Sequence, residues 1–217
     1  MPSIGTSAIS ASNFMDTTMI EENIENAAKV IREGGVVAFP TETLYGLAVD
    51  PMNSQALKRL LAIKGRDAAK GIPVIAASYE VVQSHFMVPA SFGPALREIW
   101  PAALSVALKP GNTVPELLCG DFDSVAVRVS ALGAARQLAE MAGGIITATS
   151  ANLTGHEPVS DANDLNDDIR HKVDCILELG DTPGGEPSTI IGFTGEGYRV
   201  FREGAYSLQA LERAFGK

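Results

Sequence analysis

The chain has 217 residues, 46% of them hydrophobic and 20% charged, with a net charge of −9. That is enough apolar chain for one large domain with a sizeable core, and too little polar bias for wholesale disorder. The acidic surplus argues against a protein whose main work is gripping nucleic acid, and no apolar run reaches the roughly 18 residues that would span a membrane. Residues 1–20, MPSIGTSAISASNFMDTTMI, lack the basic start and apolar run of a secretion signal and are not Arg-rich. They read as a flexible tail, and the cytoplasm is the default location.

Residues 21–33 carry Ile24, Ala27, Ala28 and Ile31 at helical spacing, with Glu21 and Glu22 in the expected first turn. Gly34-Gly35 stops that helix. VVAFP (36–40) reads as a short buried strand, and TETLYGLAVD (41–50) as a polar turn with a second apolar run. A helix is expected over 53–66, capped by Asn53 or Ser54, and it ends in the cations of Lys64-Gly65-Arg66 with Lys70 beyond. IPVIAAS (72–78) reads as a strand and 91–99 as a helix. LSVALKP (104–110) and SVAVRVS (124–130) alternate as strands do. ALGAARQLAEMAGG (131–144) is a helix closed by glycines, and GIITATS (144–150) a strand. A polar helix over 161–173 would point Leu165, Ile169 and Val173 inward. CILELG (175–180), STIIGFT (188–194) and GYRVFREG (197–204) read as strands, and 207–217 as a helix capped by Ser207. Interleaved helices and strands without repeats or linkers make one α/β domain over 21–217 with a mixed sheet.

Three features begin where an apolar element ends. PTETLYG (40–46) gathers two hydroxyls, a carboxylate and a phenol in a turn. Lys64, Arg66 and Lys70 can converge on one anion, the arginine offering a planar fork that matches phosphate or carboxylate. Ser150, Asn152 and Thr154 in TSANLTG could line a polar wall at a strand's end. Each also has a plainer use: turn chemistry, a solvated helix end, or a loop that satisfies its own backbone. Arg128 and Arg202 sit within apolar strands, which is costly unless each is paired or bound to an anion. Glu42 could serve a ligand or pair with one of these arginines. Cys119 and Cys175 are far apart and no Cys/His cluster exists, so two reduced thiols and no protein-held metal are expected. Walker, GxSxG and HExxH patterns are absent.

FPTETLYGLAVD, KGR, SVAVRV, TSANLTG, PSTII and FREGA, in that order, resemble the YrdC-like family of threonylcarbamoyl-AMP synthases. The resemblance implies a twisted mixed sheet with flanking helices around a large concave cavity, here in a short form without a further C-terminal domain. It implies synthesis of threonylcarbamoyl-AMP from L-threonine, bicarbonate and ATP, with Mg²⁺ carried on the ATP and pyrophosphate released. A tRNA-modifying transfer complex would take the product, with direct tRNA contact weak. Carried over residue by residue, Lys64, Arg66, Lys70, Ser124, Ser150, Asn152 and Arg202 would meet ATP, and Lys64, Arg66, Ser150 and Asn152 would serve the chemistry. Thr43, Arg128, Ala148 and Ser188 would hold threonine. Where many members carry a histidine after KGR, Ala76-Ala77 stands here, which leaves an altered amino-acid substrate open. Two other readings stand beside this one: a nucleotide- or RNA-binding module of the same fold, and a related carbamoyl-adenylate enzyme with another substrate.

Overall fold

The computed structural model describes residues 17–65, 69–180, 182–195 and 197–216. Helix α1 (Thr17–Arg32) buries Ile24, Ala27, Ala28 and Ile31, the stripe expected from their spacing. It opens at Thr17, so the end of the expected tail is helical and Glu21 and Glu22 fall beyond the first turn. Residues 1–16 of that tail lie outside the described residues. Next come β1 (Val37–Phe39), β2 (Gly46–Ala48), α2 (Ser54–Lys64), β3 (Val74–Ala76), α3 (Tyr79–His85) and β4 (Phe86–Met87). The middle of the chain holds α4 (Gly93–Ile99), β5 (Leu104–Pro110), β6 (Val125–Val129), α5 (Gly133–Met141), β7 (Ile145–Thr147) and β8 (Thr149–Ser150). The last elements are α6 (Asp167–Arg170), β9 (Cys175–Ile176), β10 (Thr189–Thr194), β11 (Gly197–Arg202) and α7 (Leu208–Phe215).

The strands form two mixed sheets where one was expected. The smaller runs β8-β2-β1-β9 and the larger β11-β10-β5-β6-β3-β7, with β4 beside β5. The split falls inside GIITATS. β7 pairs with β3 in the larger sheet, and β8 pairs with β2 in the smaller. Thr147 makes the crossing. Its buried hydroxyl donates to Leu47 O at 3.1 Å and accepts from Val49 N at 2.9 Å, so one side chain ties both sheets. Ala148 N bonds Pro73 O at 2.8 Å on the other side of the crossing.

Other differences have local causes. The polar run 161–173 forms only a 3₁₀ turn over Ala162–Asp164 and the single turn α6. Asp161 and Asn166 each accept a backbone N–H two residues on, and these side-chain bonds interrupt the helix. Leu165 and Ile169 are still buried as expected. In CILELG only Cys175–Ile176 finds a strand partner. Helix α3, unassigned from sequence, starts at Ser78, whose hydroxyl accepts Val81 N at 3.3 Å. Cys119 and Cys175 are both free.

The core has two parts. One packs α1 on α5 through Ala27, Ala28, Ala135 and Ala139, over Val37, Ile75 and Ile146. The other lies behind the larger sheet and includes Leu104, Val106, Leu108, Val125, Val127, Val129 and Ile191.

Thr147→Val keeps the packing volume and removes both buried hydrogen bonds. It should lower unfolding free energy by about 1–3 kcal/mol in urea titration, since Val49 N–H loses its partner away from water. Unchanged stability would mean that the crossing does not depend on the hydroxyl.

Candidate active site

Strict alternation in three neighbouring strands hollows out one face of the larger sheet. In β5, Leu104, Val106 and Leu108 face the core, while Ser105 and Ala107 face a cavity. In β6, Val125, Val127 and Val129 face the core, while Ala126 and Arg128 line the cavity. In β10, Ile191 goes to the core and Ile190 to the cavity. Small residues on the open face leave about 600 Å³, within the usual range for a small-molecule site. The β1–β2 turn, with Thr41, Thr43 and Tyr45, and the stretch Ala148–Ser150 form the facing wall.

Lys70, Arg128 and Arg202 line this cavity, and among the described residues no carboxylate does. Glu42 sits behind the wall. It takes Arg128 Nε at 2.9 Å, and the two side chains are only 9% and 6% exposed. The other Glu42 oxygen accepts the Ser130 hydroxyl. The Arg128 Nη nitrogens bond no other described residue. Arg202 gives Nε and Nη2 to Ser188 O at 3.1 and 2.8 Å. It is solvent-accessible, yet desolvation by its neighbours, with the like charge of Arg128 second, pulls its pKa below the ordinary guanidinium value. Two guanidiniums thus repel each other while only Arg128 is paired with a carboxylate among the described residues, so an anion in the cavity would relieve that repulsion. The Thr41 hydroxyl donates to Leu44 O at 2.7 Å and accepts Thr43 N and Leu44 N at 3.2 Å, and the Thr43 hydroxyl lies 3.0 Å from it on the cavity wall.

Lys70 owes its place to a close approach. The segment around it pairs with Gly120, and a Cβ at Gly120, where φ is +61°, would lie 2.3 Å from Ala69 O. Only glycine allows that backbone contact.

The stretch TSANLTG is strapped to the end of α2. Lys64 is buried, with 3% of its surface exposed. Its ammonium donates to Ser150 O and, at 2.8 Å, to Asn152 O. Thr154 N and Oγ1 both reach back to Lys64 O at 3.2 Å. Ser150 Oγ donates to Asn152 Oδ1, and Asn152 Nδ2 donates to Leu153 O and His156 O. The donor hydrogens expected to face a ligand are therefore engaged within the loop.

Of the residues singled out from sequence, Thr43, Lys70, Ser124, Arg128, Ala148, Ser150, Asn152, Ser188 and Arg202 come together around one cavity. Lys64 is not among the residues that line the cavity, and its ammonium holds the loop backbone at Ser150 O and Asn152 O. Arg66 lies outside the described residues. Ala76 is fully buried in β3, and Ala77 N bonds Gly144 O at 2.9 Å. Neither alanine lines the cavity. Ser105 went unrecognised although it is the polar member of an apolar alternation, and its hydroxyl lies 3.0 Å from that of Ser188. Phe122 and Phe201 were also missed.

Two mixed sheets enclosing a cationic, hydroxyl-rimmed cavity define the class, an α/β protein with a pocket of small-molecule size. The chain belongs to the Sua5/YciO/YrdC family, whose sequence pattern, described as telomere recombination, matches residues 29–204. It is 35% identical over 200 residues to a threonylcarbamoyl-AMP synthase of Pyrococcus abyssi, covering 91% of this chain and 59% of that protein. A threonylcarbamoyl-AMP synthase of Methylococcus capsulatus is 43% identical over 133 residues, 61% of this chain and 72% of the other. The crystal structure of P. abyssi Sua5 complexed with L-threonine matches with a TM-score of 0.85 at 34% identity, over 90% of this chain and 58% of that one. The chain thus spans under two thirds of the length of these P. abyssi relatives. No described helix is long and apolar enough to cross a membrane.

Lys64→Met removes the brace and keeps the aliphatic stem. Amides of 150–156 should then exchange hydrogen at least about tenfold faster, a local loss of about 1.4 kcal/mol, within the range for hydrogen bonds to a charged group. Protection equal to that of the unaltered chain would contradict the bracing role.

Proposed function

We propose that this chain makes threonylcarbamoyl-AMP from L-threonine, bicarbonate and ATP and releases pyrophosphate. The observation that carries the proposal is the cavity's unbalanced charge: Lys70, Arg128 and Arg202 around one space, with Glu42 the sole carboxylate paired to them among the described residues. The names of the P. abyssi and M. capsulatus relatives support it, as does the L-threonine bound to P. abyssi Sua5.

The reaction brings together a carboxylate, a bicarbonate and a triphosphate, which only a site rich in fixed positive charge can hold. Arg128 would receive the carboxylate of threonine on its Nη edge, since Glu42 occupies the Nε edge. Thr43 and Ser188 would accept from the ammonium or side-chain hydroxyl, and Ala148 would close the pocket through its backbone. Arg202, Lys70 and Ser124 would meet the phosphates. Arg66 is assigned there from the sequence resemblance alone. Ser150 and Asn152 would turn toward phosphate oxygens by exchanging the bonds they now make within their loop. Once its ammonium loses a proton to solvent, the threonine amine adds to CO₂ and gives up a second proton to solvent as the carbamate forms, or it displaces water from bicarbonate to give the same carbamate. A carbamate oxygen then attacks the α-phosphorus, and the bond to pyrophosphate breaks. No enzyme side chain forms a covalent bond. Positioning in one cavity can supply about 7–11 kcal/mol of the barrier. Mg²⁺ bound with the triphosphate would offset its charge, held by phosphate oxygens and water because Glu42 is committed to Arg128 and Ser130. The product would pass to a transfer complex that modifies tRNA, and cytoplasmic location fits that use.

Pyrophosphate release from Mg-ATP should require both L-threonine and bicarbonate when each is omitted in turn. Release with another amino acid would keep the chemistry and change the substrate. No release in any combination would overturn the proposal. Arg66→Ala and Ser150→Ala should each cut the rate by about tenfold or more, the loss of one donor to developing charge. Arg128→Lys keeps a charge for Glu42 but loses the fork. It should raise the KM for threonine more than that for ATP, and equal effects on both would undo the pocket assignment.

A further inference from the structure

Thr182 is a buried polar side chain that no step above uses, and it is not among the residues that line the cavity. A hydroxyl out of water needs a partner. Thr182 Oγ1 reaches two carbonyls, Thr43 O at 3.1 Å and Ser160 O at 2.9 Å. Carbonyls only accept, so its one hydrogen is shared between them. Thr182 N also donates to Ser160 O, at 3.1 Å. The two segments approach closely: a Cβ at Gly184, where φ is +68°, would lie 3.2 Å from Ser160 Cβ.

The turn that carries Thr43 is satisfied from inside by the Thr41 hydroxyl. It is anchored on one side by Glu42 on Arg128. On the other side Tyr45 N donates to Val159 O and Tyr45 O accepts Ala151 N, both at 2.8 Å. Between these anchors the Thr43 carbonyl is held by Thr182. That carbonyl and the Thr43 side chain branch from one Cα, so holding the first limits where the second can stand on the cavity wall. Ser188 has its own anchors in the larger sheet. Its neighbour Thr189 opens β10, with Thr189 N on Ala103 O at 3.0 Å. Arg202 rests on Ser188 O. Loss of the Thr182 hydroxyl therefore reaches Thr43 and leaves Arg202 in place.

We infer that Thr182 is a positioning residue for the amino-acid side of the cavity. Its hydroxyl holds the Thr43 carbonyl and so sets the Thr43 hydroxyl against the substrate. The inference rests on the threonine reading above and adds to it a residue that touches no substrate.

Thr182→Val keeps the shape of the side chain and loses the hydroxyl. Calorimetric titration of the full chain with L-threonine, run beside steady-state pyrophosphate release, tests the role. Thr182→Val should weaken L-threonine binding and raise its KM about three- to tenfold, the worth of one hydrogen bond, and change the KM for ATP by less than about twofold. Thr182→Ser keeps the hydroxyl and should restore both threonine values. In a Thr43→Val chain, which lacks the positioned hydroxyl, Thr182→Val should cost less than about twofold more, because its effect runs through that group. Unchanged threonine affinity in Thr182→Val, equal losses for threonine and ATP, no rescue by serine, or full additivity with Thr43→Val would each overturn the inference, as would an unaltered chain that binds no L-threonine. Thr182-dependent L-threonine binding without pyrophosphate release would leave the positioning role standing and remove the synthase reading. Threonine-dependent release that Thr182→Val leaves unaltered would remove only the positioning role.

Discussion

The buried pair between Glu42 and Arg128 is the constraint around which the rest is arranged. Glu42 belongs to the turn between strands of the smaller sheet, and Arg128 to a central strand of the larger. At 2.9 Å, with both side chains nearly out of water, neither charge can be left alone. The pair therefore fixes how the two sheets face each other across the cavity. It also fixes which edge of the guanidinium remains for a ligand. Ser130 on the second Glu42 oxygen keeps the carboxylate from turning away. Removing either partner would disturb fold and site together, which is why a charge-preserving change at Arg128 is the informative one.

A second constraint is the size of side chains on the open face of the larger sheet. Ser105, Ala107 and Ala126 make the hollow, while leucines and valines on the reverse face supply the core that holds the strands in place. Stability and vacancy are thus written into the same strands with a period of two. The loop TSANLTG adds an adjustable wall. Its hydroxyl and amide donors satisfy each other and nearby carbonyls, and Lys64 clamps its backbone. Such a loop can exchange internal hydrogen bonds for ligand ones at little net cost. The plainer use of these residues is the one the structure shows, and the proposed function would draw on the same groups.

Much of the fold and site was legible in the sequence because alternation and caps are local signals. Val125, Val127 and Val129 against Ala126 and Arg128 announced both the strand and its two faces. Asn53 and Ser207 capped helices as their positions suggested. The split of GIITATS into two sheets was not legible, since Thr147 bridges to residues some hundred positions away. The role of Lys64 was hidden for the same reason. A lysine at a helix end reads as solvated, and only the return of the chain at Ser150 buries it. Phe201 escaped notice because a bulge cannot be read from one strand alone. Seven of the residues assigned a role from the family motifs line one cavity although they come from distant parts of the chain.

The central claim is that this cavity joins a threonine-derived carbamate to AMP. Its most direct measurement is mass spectrometry of the nucleotide products formed from Mg-ATP, L-threonine and ¹³C-bicarbonate. The expected product is an AMP conjugate that contains one threonine and one labelled carbon. Conversion of ATP to AMP or ADP with no threonine and no label in any nucleotide would contradict the claim.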